Sequence, residues 1–193
     1  MNREASTILL REARRGSPEA LDELYTRYGG RVLAFIRVKM GRAMRARLDS
    51  RDVLQATFMK SFQRLEQFEG GDGASLMSWL ARIAENEIRD QVDYQRRARR
   101  DAGADVPLDD AGEAVVSRGR SALSQAVAAQ EAERLADALE LLDDDHREVI
   151  VLRKLEELSF KEVAVRMHRS EDACRMLLAR AMVALTLRLK VSS

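Results

Sequence analysis

A chain of 193 residues holds one domain or two small ones, each with a modest core. Charged residues make up 34% and aromatic residues 5%, and apolar residues recur mostly at helical spacing, so an all-α fold is expected. No apolar run approaches the ~20 residues that cross a bilayer, the N-terminus MNREASTILLREARR lacks a secretory h-region, and a single cysteine cannot form an internal disulfide. These features predict a cytoplasmic protein with no membrane partner.

Helices are expected over about 3–15, 18–40, 49–67, 75–99, 122–142, 144–156, 160–167 and 171–189. Pro18 suits the first turn of its helix, where a missing N–H costs nothing. In Leu48–Leu65, Val53, Ala56, Phe58, Phe62 and Leu65 fall on an inward face and leave Asp49, Asp52 and Gln55 outside. Asp52 and Gln55 lie three apart and share a surface that suits a basic or polar partner. An acidic first turn serving the helix dipole accounts for the same residues.

After the glycine-rich stretch FEGGDGAS (Phe68–Ser75), Leu76, Trp79, Leu80, Ile83, Ile88 and Val92 form a second buried stripe. Arg82, Asn86, Arg89, Asp90 and Gln91 occupy the polar side, and Arg96, Arg97, Arg99 and Arg100 gather positive charge at the helix end. Asparagine, glutamine and arginine read base edges, while clustered arginines hold phosphates. Trp79 is assigned to the core, and Tyr94 beside the arginines is the better candidate for stacking on a base. From Gly103 to Gly119, aspartates, Pro107 and Gly112 with few large apolar groups predict a solvated, flexible acidic linker over residues 101–121.

No glycine or proline follows Gly119. Asp143–Asp145 supply negative charge at a helix start, which the dipole favours. Ser159 and Glu162 form a capping box, followed by the stripe Val163, Ala164 and Met167. His168, Arg169 and Ser170 interrupt that stripe, Ser170 being a second N-cap candidate. Behind it Ala173, Cys174, Leu177, Leu178, Ala181 and Leu185 face inward, with Arg175 and Arg180 outward. A short helix, a tight turn and a longer helix with outward arginines make a helix-turn-helix, which lies in a major groove.

The net charge of +1 conceals an asymmetry: residues 1–100 carry 20 Lys/Arg and 14 Asp/Glu, residues 101–145 carry 3 and 12, and residues 146–193 carry 10 and 6. Two basic ends around an acidic middle suit two polyanion-binding modules.

Together these segments resemble a bacterial RNA polymerase sigma factor of the extracytoplasmic-function group, the short two-domain branch of the sigma-70 family. The resemblance rests on D-x-x-D-V-x-Q-x-x-F at Asp49, Asp52, Val53, Gln55 and Phe58, and on W-L-x-R-I-A-x-N at Trp79, Leu80, Arg82, Ile83, Ala84 and Asn86. It rests also on L-S-x-x-E-V-A at Leu158, Ser159, Glu162, Val163 and Ala164. It implies a region 2-like helical bundle over residues 1–100, the linker 101–121 and a region 4-like helix-turn-helix domain over 122–193. Core RNA polymerase and promoter DNA are the implied partners, and an anti-sigma factor, which controls many members, is a further one. Neither cofactor nor metal is expected.

The resemblance further implies that Asp49, Asp52, Gln55 and Phe58 contact core polymerase. It implies contacts of Phe68, Asp72, Ser75, Arg82, Asn86, Arg89, Asp90, Arg96 and Arg97 with the melted −10 element. Lys161, His168, Arg169, Ser170, Arg175, Met176 and Arg180 are its implied contacts with the −35 element. The chain departs from the family pattern in three places. His168 stands where glycine is usual in the turn, and histidine enters left-handed backbone more readily than most residues. Arg175-Met176-Leu177 replaces Arg-Ser-Arg, which leaves base reading chiefly to Arg175 and Arg180 with apolar contact to thymine methyls. Ala56 replaces a carboxylate.

Enzymatic activity is not expected. His146, His168 and Cys174 lack metal-ligand spacing, and the glycines at 70–73 lack the lysine of a phosphate loop. The competing reading, an activator that binds duplex DNA without polymerase, leaves the Asp52/Gln55 face and the Leu76–Asp101 segment unexplained. The linker spans at most about 70 Å extended and about 25 Å as a coil, so it cannot measure the roughly 70 Å between promoter elements. Polymerase is therefore expected to hold the two modules in register.

Overall fold

The computed structural model describes residues 3–69, 76–100 and 122–191, so the expected linker, Asp72 and Ser75 lie outside the described residues. Among the described residues eight α-helices follow in order: α1 (Arg3–Arg14), α2 (Pro18–Arg45), α3 (Ser50–Gln63), α4 (Leu76–Arg100), α5 (Ala122–Glu140), α6 (Asp144–Ile150), α7 (Phe160–Met167) and α8 (Glu171–Val191). No strand occurs among the described residues. No helix among them is long and apolar enough to cross a membrane.

Local chemistry sets most boundaries. Ser17 caps α2 by accepting from the Ala20 N–H at 3.2 Å, with Pro18 in the first turn. Asp143 caps α6 through the His146 N–H at 3.0 Å. Two ends differ from expectation. α3 stops at Gln63 and a 3-10 turn covers Leu65–Gln67. α2 continues beyond residue 40 through a kink at Gly41, whose φ of 63° and ψ of 166° lie outside helical values. A positive φ is open to glycine at little cost, so the chain bends there and still carries Arg42 and Arg45 onward. After α6 the helix widens into a π-helical stretch, Val151–Leu155, and Glu157 is left-handed at φ 60°.

Helices α1–α4 close around Val32, Phe35, Ile36, Val53, Phe58 and Met77, and α5–α8 around Leu139, Val149, Leu152, Val163, Cys174 and Ala181. The two sets form one continuous apolar cluster. Fully burying side chains of this size contributes roughly 1.5–3 kcal/mol each before conformational entropy is charged against it.

α5 lies along α2, and charge lines the contact. Arg45 donates from Nη1 to Glu140 Oε1 at 3.0 Å and from Nη2 to Asp137 Oδ1 at 2.6 Å. Arg37, buried, donates to Ser50 Oγ at 3.1 Å and to the Ala129 carbonyl, and pairs with Glu133 at 3.2 Å. Behind α6, Ser78 Oγ donates to the Glu156 carbonyl at 2.7 Å, and Arg31 pairs with Glu157. Part of the basic charge in the first hundred residues is thus matched by the acidic segment of the same chain. Composition alone suggests polyanion partners for all of that charge, and the α2–α5 contact shows that part of it is paired within the chain.

Candidate nucleic-acid and polymerase interfaces

Three surfaces carry the residues singled out from the sequence. At the start of α3, Asp49 is the N-cap and its carboxylate accepts from the Arg51 N–H at 2.8 Å. Asp49 and Asp52 are exposed and Gln55 is half-buried, so the three offer an acidic-polar edge. Phe58 does not join them. It is 1% exposed and packs between Tyr25 and Phe62, with ring centroids 4.8 and 5.6 Å away. The reason is periodicity: Phe58 follows Val53 and Leu54 on the buried side of α3, one turn or more from the Asp52 edge.

On α4, Arg82, Asn86, Arg89, Asp90, Arg96 and Arg97 are all exposed, as is Tyr94. Leu76, Met77, Leu80, Ala84 and Ile88 are buried behind them. Asp90 is engaged: Lys60 of α3 reaches it at 3.4 Å and also bonds to the buried Glu87. The bond to Glu87 raises the Lys60 pKa above its usual value, holding the ammonium charged and clamping α3 to α4. Phe68 is 4% exposed and stacks against half-buried Trp79 at 5.2 Å, so the ring belongs to the core beside the α4 start and presents no open face.

The helix-turn-helix forms as its capping pattern dictates. Ser159 Oγ accepts from the Glu162 N–H at 3.3 Å while the Glu162 carboxylate accepts from the Ser159 N–H at 2.7 Å. The Ser159 hydroxyl also donates to that carboxylate at 2.6 Å, and this bond together with the one from the Ser159 N–H holds the Glu162 carboxyl below its usual pKa. His168 is left-handed at φ 53° and ψ 44°, ending α7 where the family pattern has glycine. Ser170 Oγ then accepts from the Ala173 N–H at 3.2 Å and opens α8. Cys174, Leu177, Ala181 and Leu185 are buried at helical spacing. Lys161, His168, Arg169, Ser170, Arg175, Met176 and Arg180 are exposed together on α7, the turn and the start of α8. Arg169 pairs with Asp145 of α6, and Arg175 with Glu171 at 3.0 Å and Asp172 at 3.7 Å.

Several contributors leave little or no signal in the sequence. Phe160 lies under two guanidinium groups, with Arg153 Cζ 5.0 Å and Arg175 Cζ 4.6 Å from its ring centroid. Its only sequence signal was an aromatic residue directly after a cap. The Lys60–Glu87 clamp and the Arg37 and Arg45 pairs join residues far apart in the chain, and no local pattern announces them. Among the described residues, no group of three or more His, Cys, Asp or Glu could hold a metal.

Comparison with known proteins decides the family. The family model described as sigma-70 region 2 matches residues 24–100, and that described as sigma-70, region 4 matches residues 132–185. The RNA polymerase sigma factor CarQ of Myxococcus xanthus is 30% identical over 168 residues, 84% of this chain and 85% of that protein. This chain belongs to the sigma-70 family, in its extracytoplasmic-function group. The ECF RNA polymerase sigma-E factor of Escherichia coli is 30% identical over 167 residues, 81% of this chain and 80% of that factor. Among solved structures, CnrH in complex with the cytosolic domain of CnrY is 26% identical, covering 96% of this chain and 97% of that one at a TM-score of 0.48. In sigma-70 terms, the α3 edge and the α4 face lie within region 2, and α7 and α8 as far as Leu185 within region 4.

Proposed function

We propose that this sigma factor joins core RNA polymerase through the Asp52/Gln55 edge of α3 and reads the opened −10 element with the polar face of α4. The start of α8 reads the −35 element as intact duplex. One observation carries the reading: on a single chain, region 2 and region 4 each expose a continuous polar, arginine-bearing face over a buried apolar one. Asn86, Arg82 and Arg89 suit unpaired base edges, with Arg96 and Arg97 on the phosphates beside them. Arg175 and Arg180 suit the major groove, where a bidentate arginine selects guanine. No catalytic step is assigned to the chain, and a partner of the anti-sigma kind belongs to the same proposal.

The docked arrangement bears on how the two faces work. Asn86 lies eight positions along α4 from Ser78, about 12 Å of helix, and about 14 Å of chain at most separates Arg166 from Ser170. Ser78 and Arg166 both contact Glu156, at 2.7 and 3.9 Å. Adding side-chain reach, Asn86 and Ser170 lie within roughly 50 Å, short of the roughly 70 Å between elements two helical turns apart. Regions 2 and 4 therefore separate when both elements are engaged, and polymerase supplies the scaffold that sets their distance.

Transcription by purified core polymerase with and without this protein tests the reading. Initiation at defined promoters only in its presence is the expected result. Stimulation that requires another sigma factor would support an activator instead. Asn86→Ala is expected to reduce promoter opening while core binding persists, and loss of core binding would refute that division of labour.

A further inference from the structure

Arg175 occupies the fifth residue of α8, within the first turns that reach base edges in a helix-turn-helix. A free arginine on such a helix samples many rotamers, and each must be given up before a bidentate bond to a base forms. Here the side chain is confined on two sides. Glu171 and Asp172, one turn back on α8, pair with it, and the Phe160 ring on α7 lies 4.6 Å from its Cζ. The ring is itself fixed. Phe160 is the first residue of α7, directly after the capping-box serine, is half-buried, and packs against the apolar cluster.

The ion pairs and the ring act differently when DNA arrives. Glu171 is half-buried and Asp172 exposed, and both carboxylates repel incoming phosphates, so their hold on Arg175 weakens as the negatively charged duplex approaches. An aromatic face keeps its attraction for a guanidinium and places no charge near the groove. Arg153, 5.0 Å from the same ring, adds a second cation and so further favours the approach of phosphate.

We infer that Phe160 is a positioning residue for promoter recognition: its ring presets the Arg175 guanidinium for base readout in the −35 element, although Phe160 itself touches no base. The inference rests on the assignment of Arg175 to that element. It makes the specificity of region 4 depend on a side chain of its first helix as well as on the recognition helix.

The test uses the full chain with core RNA polymerase on promoters selected from a pool randomised across the upstream element. Relative occupancy is then measured on every single-base variant of the selected sequence. Arg175→Ala is expected to flatten the preference at one position. Phe160→Leu, which keeps an apolar side chain at that site and removes the π face, is expected to weaken the same preference about two- to five-fold, with all other positions and the −10 preference unchanged. Phe160→Tyr is expected to retain it, and Phe160→Leu in the Arg175→Ala background to add nothing. Wild-type discrimination by Phe160→Leu would overturn the inference, as would a uniform loss at every position, which marks a general packing defect. An Arg175→Ala variant with an unaltered profile would overturn the assignment of Arg175 and the inference together.

Discussion

Glu156 and His168 show how single residues are held in uncomfortable states by their surroundings. The Glu156 carboxyl is buried between modules, and burial raises its pKa above the ordinary 4.5, partly opposed by Lys39 and Arg166. A carboxyl whose folded pKa is raised costs stability once it ionises. The cost starts as pH rises past the unfolded pKa and is complete above the folded one. Glu156→Gln mimics the protonated form and is expected to raise the melting temperature at pH 7, the gain shrinking as pH falls toward 4.5. A gain that persisted at low pH would contradict a titrating carboxyl. His168 bears a left-handed backbone that costs a side-chain-bearing residue roughly 1–2 kcal/mol. His168→Gly is expected to return up to about 1 kcal/mol in thermal or denaturant unfolding. Its effect on −35 binding then reports separately on whether the imidazole meets the duplex.

Within helices, the same pattern that builds an element decides which residues it offers. α3 buries Val53, Leu54, Phe58 and Ser61 and leaves Asp49 and Asp52 exposed. Phe58→Ala is expected to lower folding stability by about 3–5 kcal/mol, the cost of an aromatic-sized cavity, whereas Asp52→Ala should weaken core binding with unfolding unchanged. Were Phe58→Ala to leave stability intact, its place in the core would be wrong. α2 shows the opposite case, an element interrupted for a purpose. Gly41 has φ 63°, and a Cβ there would meet Glu140 Oε1 at 3.8 Å, so space is ample and the backbone angle is the obstacle. Gly41→Ala is expected to strain the kink by about 1 kcal/mol or more and disturb the segment carrying Arg42 and Arg45.

At the scale of the molecule, ion pairs on α2 and α5 hold region 4 against region 2. Arg45, its side chain 8% exposed, meets Glu133, Asp137 and Glu140, whose own side chains are 44%, 39% and 23% exposed. Pairs open to solvent on one side are screened by salt. Arg45→Ala is expected to weaken docking by about 1–3 kcal/mol, because carboxylates gathered around the guanidinium lose their partner. Fluorophores on α1 and α8 should then lie farther apart, and in the wild type the same separation should grow with ionic strength. A distance insensitive to both changes would show that apolar packing alone fixes the arrangement.

Most of each helix, the caps at Ser159 and Ser170, the turn at His168 and the family are legible in the chain alone. Each of these is written within a few neighbouring residues, as with the reciprocal bonds of Ser159 and Glu162 or the spacing of Cys174, Leu177 and Ala181. Helical spacing likewise places Asn86, Arg89 and Arg175 on exposed surfaces and Phe58 on the inward face of α3, whereas the contacts that the resemblance implies for Phe58 and Phe68 meet side chains buried in the core. Only tertiary structure decided that Arg37 reaches Ala129, 92 residues away, and that Arg31 reaches Glu157 across 126. The same holds for Phe160 beneath Arg175. Such contacts depend on how finished helices pack, and charge alone does not distinguish a cation committed to its own chain from one left for a promoter.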